Sequence, residues 1–147
     1  MDDSTKARLA QLSPLAGQWT IEAVFPQAPP SDVRGHVIFE WGPGEAFLVQ
    51  RWEVSIDEAP DGVAIIAADE DSDRLIQHYF DSRGVVRQYE TSVEDGTWTL
   101  VKLSPGFAQR FRGEFSASGE TIEGAWEKSD GGSDWEHDFR LIYRKAA

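Results

Sequence analysis

The sequence predicts an all-β protein, an antiparallel up-and-down barrel of about ten strands preceded by one short helix. From Gly17 onward, short alternating segments are separated by turn residues at intervals of roughly 8 to 12 residues, a spacing typical of antiparallel barrels and sandwiches. No second helical pattern follows that could cover a sheet, so the strands are expected to close on themselves. A β-sandwich built from the same strands is the alternative.

The elements can be placed in order along the chain. A helix is predicted over residues 4–12, with Ser4 as N-cap, and it ends before Ser13-Pro14 because proline disfavours helical geometry in the preceding residue. This helix is a candidate lid or plug for the barrel. Strands are predicted at 17–25, 33–41, 46–56, 62–69, 73–81, 85–93, 97–103, 108–116, 120–129 and 134–144.

Turn residues mark the connections between these strands. The segment from Asp81 to Gly84 has Asp at the first and Gly at the fourth position of a type I turn, where Gly can take the left-handed bulge conformation. The segment from Ser116 to Gly119 repeats this pattern, and Asp95-Gly96 and Asp61-Gly62 are further hairpin signals. Tight turns in series predict an up-and-down connection of neighbouring strands.

Composition limits the classes of partner. The 147 residues fit a single domain over 1–147, with 40% hydrophobic positions to form its core. The chain is acidic, with 14 basic and 26 acidic residues and a net charge of −12, and no basic cluster relieves this charge. Nucleic acids and anionic membrane surfaces are therefore not expected as partners.

The expected cellular compartment follows from the lack of cysteine and of a long apolar segment in the sequence. It has no cysteine, which removes disulfides and zinc sites built on thiolates and agrees with a reducing interior. The N-terminus begins with acidic residues, and no apolar run approaches the ~20 residues of a bilayer span. A cytoplasmic protein is expected.

Two neighbouring strands of the predicted sheet carry polar residues on both faces. A bulge at Gly84 sets Tyr79 opposite Arg87 and Gln77 opposite Tyr89. We expect this face to line the interior, rather than the opposite face formed by Ile76, His78, Phe80, Val86 and Gln88. Arg87 is then either solvated or paired with a surface carboxylate, or an anchor for an anionic head group, which a guanidinium can hold through two hydrogen bonds.

The last strand alternates with a two-residue period. Its apolar row is Trp135, His137, Phe139, Leu141 and Tyr143. In this row His137 is the only imidazole, and it is expected to face the barrel interior. Three roles remain open for it: a buried side chain satisfied by a neighbouring group, a haem ligand, or a general acid or base.

Both ends of the chain resemble known barrel proteins. The segment from Leu12 to Trp19 is similar to the opening of nitrobindin-like proteins and of the wider lipocalin and fatty-acid-binding calycin group, with its Gly-x-Trp pair after a short helix. The tail from His137 to Arg144 resembles the last nitrobindin strand, in which a histidine seven residues before an arginine is the proximal haem ligand. The segments 78–84 and 126–131 resemble small lipocalin-like proteins of the DUF1579 type.

These resemblances imply a calycin-like barrel, and they imply haem binding through His137 only as a minor alternative. After the first tryptophan, nitrobindins continue with glycine-rich sequence, whereas this chain has Thr20-Ile21-Glu22-Ala23. No other cofactor is expected. A structural metal is not expected either, because His36 and His78 do not stand in a metal-binding spacing.

The leading functional hypothesis is a monomeric or dimeric barrel that binds a small apolar or aromatic molecule with one polar end. The predicted lining consists of Gln50, Trp52, Gln77, Tyr79, Arg87, Tyr89, Phe111, Trp126, His137 and Phe139. An enzyme of isomerase or cyclase type is a second hypothesis, with His78, Tyr79, Asp81 or His137 moving a proton, although no catalytic residue is assigned. A dry barrel, filled by its own side chains, is a third.

Overall fold

A computed structural model describes residues 1–26, 33–55 and 59–146 of the chain. It contains one α-helix and ten strands that close into an antiparallel barrel, in which each strand pairs with its sequence neighbours and β1 pairs with β10. The elements are α1 Asp3–Ala10, β1 Gly17–Val24, β2 Val33–Trp41, β3 Leu48–Val54, β4 Gly62–Ala68, β5 Leu75–Asp81, β6 Val86–Glu94, β7 Thr97–Lys102, β8 Ala108–Phe115, β9 Thr121–Ser129 and β10 Glu136–Lys145. The predicted barrel is confirmed, and the sandwich alternative is wrong.

Every predicted strand is present, with ends that differ by no more than two residues wherever the structure describes them. Residue 56, the last of the third predicted strand, lies outside the described residues. The two predicted four-residue turns are also confirmed. The Gly84 amide donates to the Asp81 carbonyl at 2.9 Å, and the Gly119 amide donates to the Ser116 carbonyl at 2.9 Å. Gly84 has a φ of +81°, which a side chain would disfavour.

One predicted turn is wrong. Gly62 does not sit in a hairpin turn; it is the first residue of β4 and lies opposite Trp52 on one side and Asp81 on the other. A side chain at this position would overlap the indole of Trp52 and would approach the Phe80 carbonyl oxygen to 2.5 Å. Glycine is therefore required here by close packing against the strands on both sides.

The helix closes one end of the barrel. Its N-cap is Asp2 rather than the predicted Ser4, because the Asp2 carboxylate accepts a hydrogen bond from the Thr5 amide at 2.8 Å. At its other end, Arg8 donates to the carbonyls of the β4–β5 turn, including that of Ser72 at 2.8 Å. The helix ends at Ala10, before the predicted residue 12, and a short 3₁₀ turn over Ser13–Leu15 leads into β1.

The inner faces of the strands divide into two halves. The half beneath α1 is filled by fully buried apolar side chains, which pack together with the leucines of the helical segment: Leu9, Leu12, Leu15, Trp19, Val37, Phe39, Leu48, Ile66, Leu75, Trp98 and Ile122. The opposite end, which we call the distal end, is formed by the connections 82–85, 103–107 and 130–135. Nearer the distal end, the inward-facing Trp52, Tyr79, Arg87 and Trp126 are half-buried, whereas Tyr89 is buried.

Among the described residues, no helix combines the length and the apolar character that a bilayer-crossing helix requires. The outer face carries one apolar area on β5 to β7, where Phe80, Val86, Val101 and Leu103 are between 41% and 63% exposed.

Candidate functional site in the distal half of the barrel

The expected orientation of β5 and β6 is confirmed. Tyr79 pairs with Arg87 and Gln77 pairs with Tyr89, as the bulge at Gly84 predicted. Gln77 is 4% exposed and Tyr89 is 2% exposed, so this face points into the barrel. The opposite face is the outer face, where Phe80 is 41% and Val86 is 63% exposed, although Ile76 is buried.

Nine of the ten predicted lining residues lie on the inner face of the barrel. They are Gln50, Trp52, Gln77, Tyr79, Arg87, Tyr89, Phe111, Trp126 and Phe139. Phe111 belongs to the packed half, because it is 2% exposed and its ring lies 5.0 Å from that of Trp98. The contact of each of these residues with a ligand stays a prediction.

The placement of His137 inside the barrel is wrong. The pairing of β10 with β9 shifts between His137 and Phe139, so that Phe139 lies opposite Trp126 on the inner face while His137 lies opposite Glu127 on the outer face. Residues on either side of such a bulge lose the strict two-residue alternation. His137 is exposed. Since it lies outside, the haem hypothesis and the acid–base role of His137 lose their geometric basis.

The other two histidines also point away from the interior. His78 pairs with Gln88 in the outward row of β5 and β6. His36, on β2, pairs with Thr20 of β1 and with Glu53 of β3. No imidazole of the chain therefore faces the distal lining. Acid–base chemistry inside the barrel would depend on the tyrosines and on Asp81.

Aromatic rings form a continuous wall across the distal half. The Trp52 ring stacks on Tyr79 with centroids 5.4 Å apart, Tyr79 meets Tyr89 edge to face at 6.1 Å, and Tyr89 meets Trp126 at 5.5 Å. Rings at these distances attract one another beyond their area of contact. These rings of β3, β5, β6 and β9 thus form one connected cluster inside the barrel, which we call the aromatic wall.

Asp81 ends this wall with a fixed hydrogen-bond network. The Tyr79 hydroxyl donates to Asp81 Oδ2 at 2.6 Å, and Arg83 donates to the same oxygen at 2.7 Å. Burial alone raises the pKa of Asp81, but the hydrogen bonds from Arg83 and Tyr79 outweigh it and hold that pKa well below its usual range. Burial and the contact with Asp81 raise the pKa of Tyr79 above its ordinary value. At neutral pH the carboxylate therefore stays charged and the phenol stays protonated.

Two cations lie on the same inner face, one predicted and one missed. Arg87 is on β6, and Lys102, at the end of β7, pairs with Tyr89. Both lie over the Phe107 ring, with the Arg87 guanidinium carbon 5.1 Å and the Lys102 ammonium 3.9 Å from its centroid. Lys102 could have been found from the sequence, because Trp98, Leu100 and Lys102 form one alternating row.

The inner face of β5 also carries a buried acceptor that has no partner in the described part of the chain. Gln77 Oε1 is inaccessible to solvent and has no hydrogen-bond partner in the described part of the chain. By contrast, the neighbouring Tyr89 hydroxyl donates to Gln109 Oε1 at 2.6 Å. A buried amide oxygen that stays unpaired is destabilising by about 1–3 kcal/mol.

Two shallow hollows lie outside the barrel. One, of about 200 Å³, lies between α1 and the outer or end-facing residues of β5 to β7, and the other, of about 220 Å³, includes His78 and Gln88. Neither includes a residue of the predicted lining.

The comparisons with known proteins identify the fold. No family model matches the chain, and no curated protein matches it. Among solved structures, it is similar to Rv2717c from M. tuberculosis, with a TM-score of 0.65 and 12% identity over 100% of this chain and 99% of the other. It is also similar to the S-type phycobiliprotein lyase CPES from Guillardia theta, with a TM-score of 0.62 and 14% identity over 97% and 98%. The chain therefore shares the fold of these two proteins. A nitrobindin or DUF1579 relationship stays a prediction.

Proposed function

We propose that this protein binds a small aromatic or apolar molecule with an anionic end in the distal half of the barrel. The observation that carries this proposal is the pairing of the aromatic wall with two cations on the same inner face, Arg87 and Lys102. An apolar wall with a few convergent polar groups is the common form of a small-molecule site. The likeness to a phycobiliprotein lyase is compatible with small-molecule binding in such a barrel.

Arg87 is proposed to hold the anionic end of the ligand. No carboxylate of the described residues forms an ion pair with Arg87, whereas Arg110 and Arg112 on the outer face bind Glu127 and Glu114 at 2.8 Å. The alternative role for Arg87, pairing with a surface carboxylate, is thus unsupported in the described part of the chain. A guanidinium left without a counter-ion on an inner face is suited to a carboxylate or a similar anion.

The acid–base hypothesis has less support. Tyr79 and Asp81 are joined by a short hydrogen bond, and their pKa values are displaced away from neutrality in opposite directions. A proton-transfer pair works best when a pKa lies near the working pH. The network is better suited to fixing one edge of the wall than to moving a proton.

Two dyes with the same ring system test the proposal. 8-Anilinonaphthalene-1-sulfonate carries a sulfonate that N-phenyl-1-naphthylamine lacks, and the fluorescence of both increases in apolar sites. We expect Arg87→Met to weaken binding of the anionic dye by about tenfold, because a hydrogen bond to a charged group contributes about 1.5–3 kcal/mol. Binding of the neutral dye should change little.

Arg112→Met is the matched control, because Arg112 lies on the outer face, pairs with Glu114 and has a side chain 71% exposed. It should leave the affinity for both dyes unchanged. Equal losses for both dyes in Arg87→Met would mean that the substitution had altered the apolar surroundings of the ligand and had not removed an anchor for its charge. Unchanged binding of the anionic dye would remove the proposed role of Arg87.

A further inference from the structure

Arg87 and Lys102 are neighbours across two adjacent strands. Tyr89 pairs directly with Lys102, and Arg87 lies two residues before Tyr89 on the same face of β6. Arg87 and Lys102 are therefore diagonal neighbours, a separation that long side chains can bridge. Their distances from the centre of the single Phe107 ring, 5.1 Å for the Arg87 guanidinium carbon and 3.9 Å for the Lys102 ammonium, place the two charged groups within about 9 Å of each other at the distal end.

Neither cation is neutralised by a carboxylate of the described residues. The Lys102 ammonium donates to the main-chain oxygens of Phe107 at 2.9 Å and Pro105 at 3.4 Å. These carbonyls accept from two of its three N–H groups but carry no net charge. With 26 acidic residues in the chain, the lack of a counter-ion here does not reflect a shortage of carboxylates.

The two like charges oppose each other. Burial lowers the pKa of Lys102, and the nearby charge of Arg87 lowers it further. An adjacent anion would relieve this repulsion. One negative charge would compensate only one of the two cations, whereas two negative charges would compensate both.

We propose that Arg87 and Lys102 together bind one doubly charged head group, such as a phosphate monoester, at the end of the apolar ligand. This inference rests on the proposed function and specifies its ligand class. A planar guanidinium can take two oxygens of a phosphate, while the ammonium acts as a point charge on the third. The aromatic wall of Trp52, Tyr79 and Tyr89 would take the apolar remainder.

Two naphthyl esters of equal size separate charge from shape. 1-Naphthyl sulfate carries one negative charge, and 1-naphthyl phosphate carries close to two at pH 8, because its second pKa lies near 6. Calorimetric titration at pH 8 should give at least tenfold tighter binding of the phosphate. At pH 5, where the phosphate carries about one charge, the preference should disappear.

Substitutions of Lys102 and Arg87 test which residue causes the preference for phosphate over sulfate. Lys102→Met should abolish the preference for phosphate over sulfate, because it should weaken phosphate binding more than sulfate binding. Arg87→Met should weaken the binding of both esters, and Arg112→Met should change neither. Denaturant unfolding of each variant verifies that the barrel is intact.

The outcomes separate the inference from the proposed function. Equal affinity of the unmodified protein for the two esters at pH 8, or a preference that survives in Lys102→Met, would overturn the doubly charged head group while leaving the anionic anchor in place. Binding of the anionic dye without binding of either ester would also overturn it. Absence of binding for the dyes and both esters alike would overturn the proposed function itself.

Discussion

Asp81 joins three groups at the end of the aromatic wall. Its carboxylate, which has no accessible surface, accepts from the Tyr79 hydroxyl and from the Arg83 guanidinium. The Arg83 amide also donates to its second oxygen at 2.9 Å. The orientation of Tyr79 in the wall therefore depends on the charge of Asp81.

Asp81→Asn is expected to destabilise the folded protein by about 1–3 kcal/mol at pH 7, since hydrogen bonds to a charged group are lost. The pKa of Asp81 is lower in the folded protein than the ordinary value of 3.8. Its stabilising contribution is therefore present above pH 3.8 and declines as the pH falls toward the folded pKa. Urea unfolding of both proteins measures the difference between their free energies of unfolding. This difference should become smaller as the pH is lowered from 7 to 2.5.

The exposed Asp130 gives the matched control. Asp130→Asn should change the free energy of unfolding little at either pH. If Asp81→Asn and the unmodified protein differ in free energy of unfolding by the same amount at pH 7 and pH 2.5, that result would contradict the assignment of the stabilisation to the charge of Asp81.

The orientation of single residues was predictable where alternation was unbroken. Gln77, Tyr79, Arg87 and Tyr89 were assigned to one face from a single bulge at Gly84, and the structure has them there. His137 was misplaced because the sequence gives no sign of the second bulge. One extra residue in a strand reverses every side chain beyond it.

Among the elements, β4 shows how a glycine makes room for a large side chain of the neighbouring strand. Gly62 lies between Trp52 on β3 and Asp81 on β5, and the Trp52 indole occupies the space that a side chain would need. The Trp52 indole nitrogen also donates to the Pro60 carbonyl at 3.0 Å. The position of Trp52 in the aromatic wall therefore requires glycine at residue 62.

Gly62→Ala is expected to destabilise the protein by about 1–3 kcal/mol, because the added methyl group must displace Trp52 or the backbone of β5. The displacement of Trp52 should also change the tryptophan emission of the folded protein. Denaturant unfolding and emission spectra measure the two effects.

Gly131→Ala is the matched control, since Gly131 is exposed and nothing lies within 4 Å of the side chain it lacks. It should leave both stability and emission unchanged. Unaltered stability in Gly62→Ala would show that β4 can move away from Trp52 without loss.

At the scale of the whole molecule, the packed half and the proposed binding site lie toward opposite ends of the barrel. Beneath α1 the interior is filled by apolar side chains such as Leu48, which is 0% exposed and lies opposite Ile66. At the distal end the inner face carries aromatic rings, hydroxyl groups and two cations. The first half is packed as a dry barrel would be.

Leu48→Ala is expected to lower the free energy of unfolding by about 2–5 kcal/mol, because it leaves a cavity in the packed half. Binding of 8-anilinonaphthalene-1-sulfonate by the folded protein should change by less than about twofold, since Leu48 lies at the end opposite the cations. Unfolding curves and dye titrations of the same preparation measure both quantities. A large loss of affinity in Leu48→Ala would show that the two halves are not independent.

The sequence by itself determined the barrel, its ten strands and the inner face of β5 and β6, because alternation and turn residues act over short distances along the chain. Tertiary structure alone decided the outward position of His137, the need for Gly62 and the convergence of Arg87 with Lys102. These features depend on which residues face each other across neighbouring strands and on the side chains that fill the space between them. A bulge or a close approach changes these contacts without a local signal in the sequence.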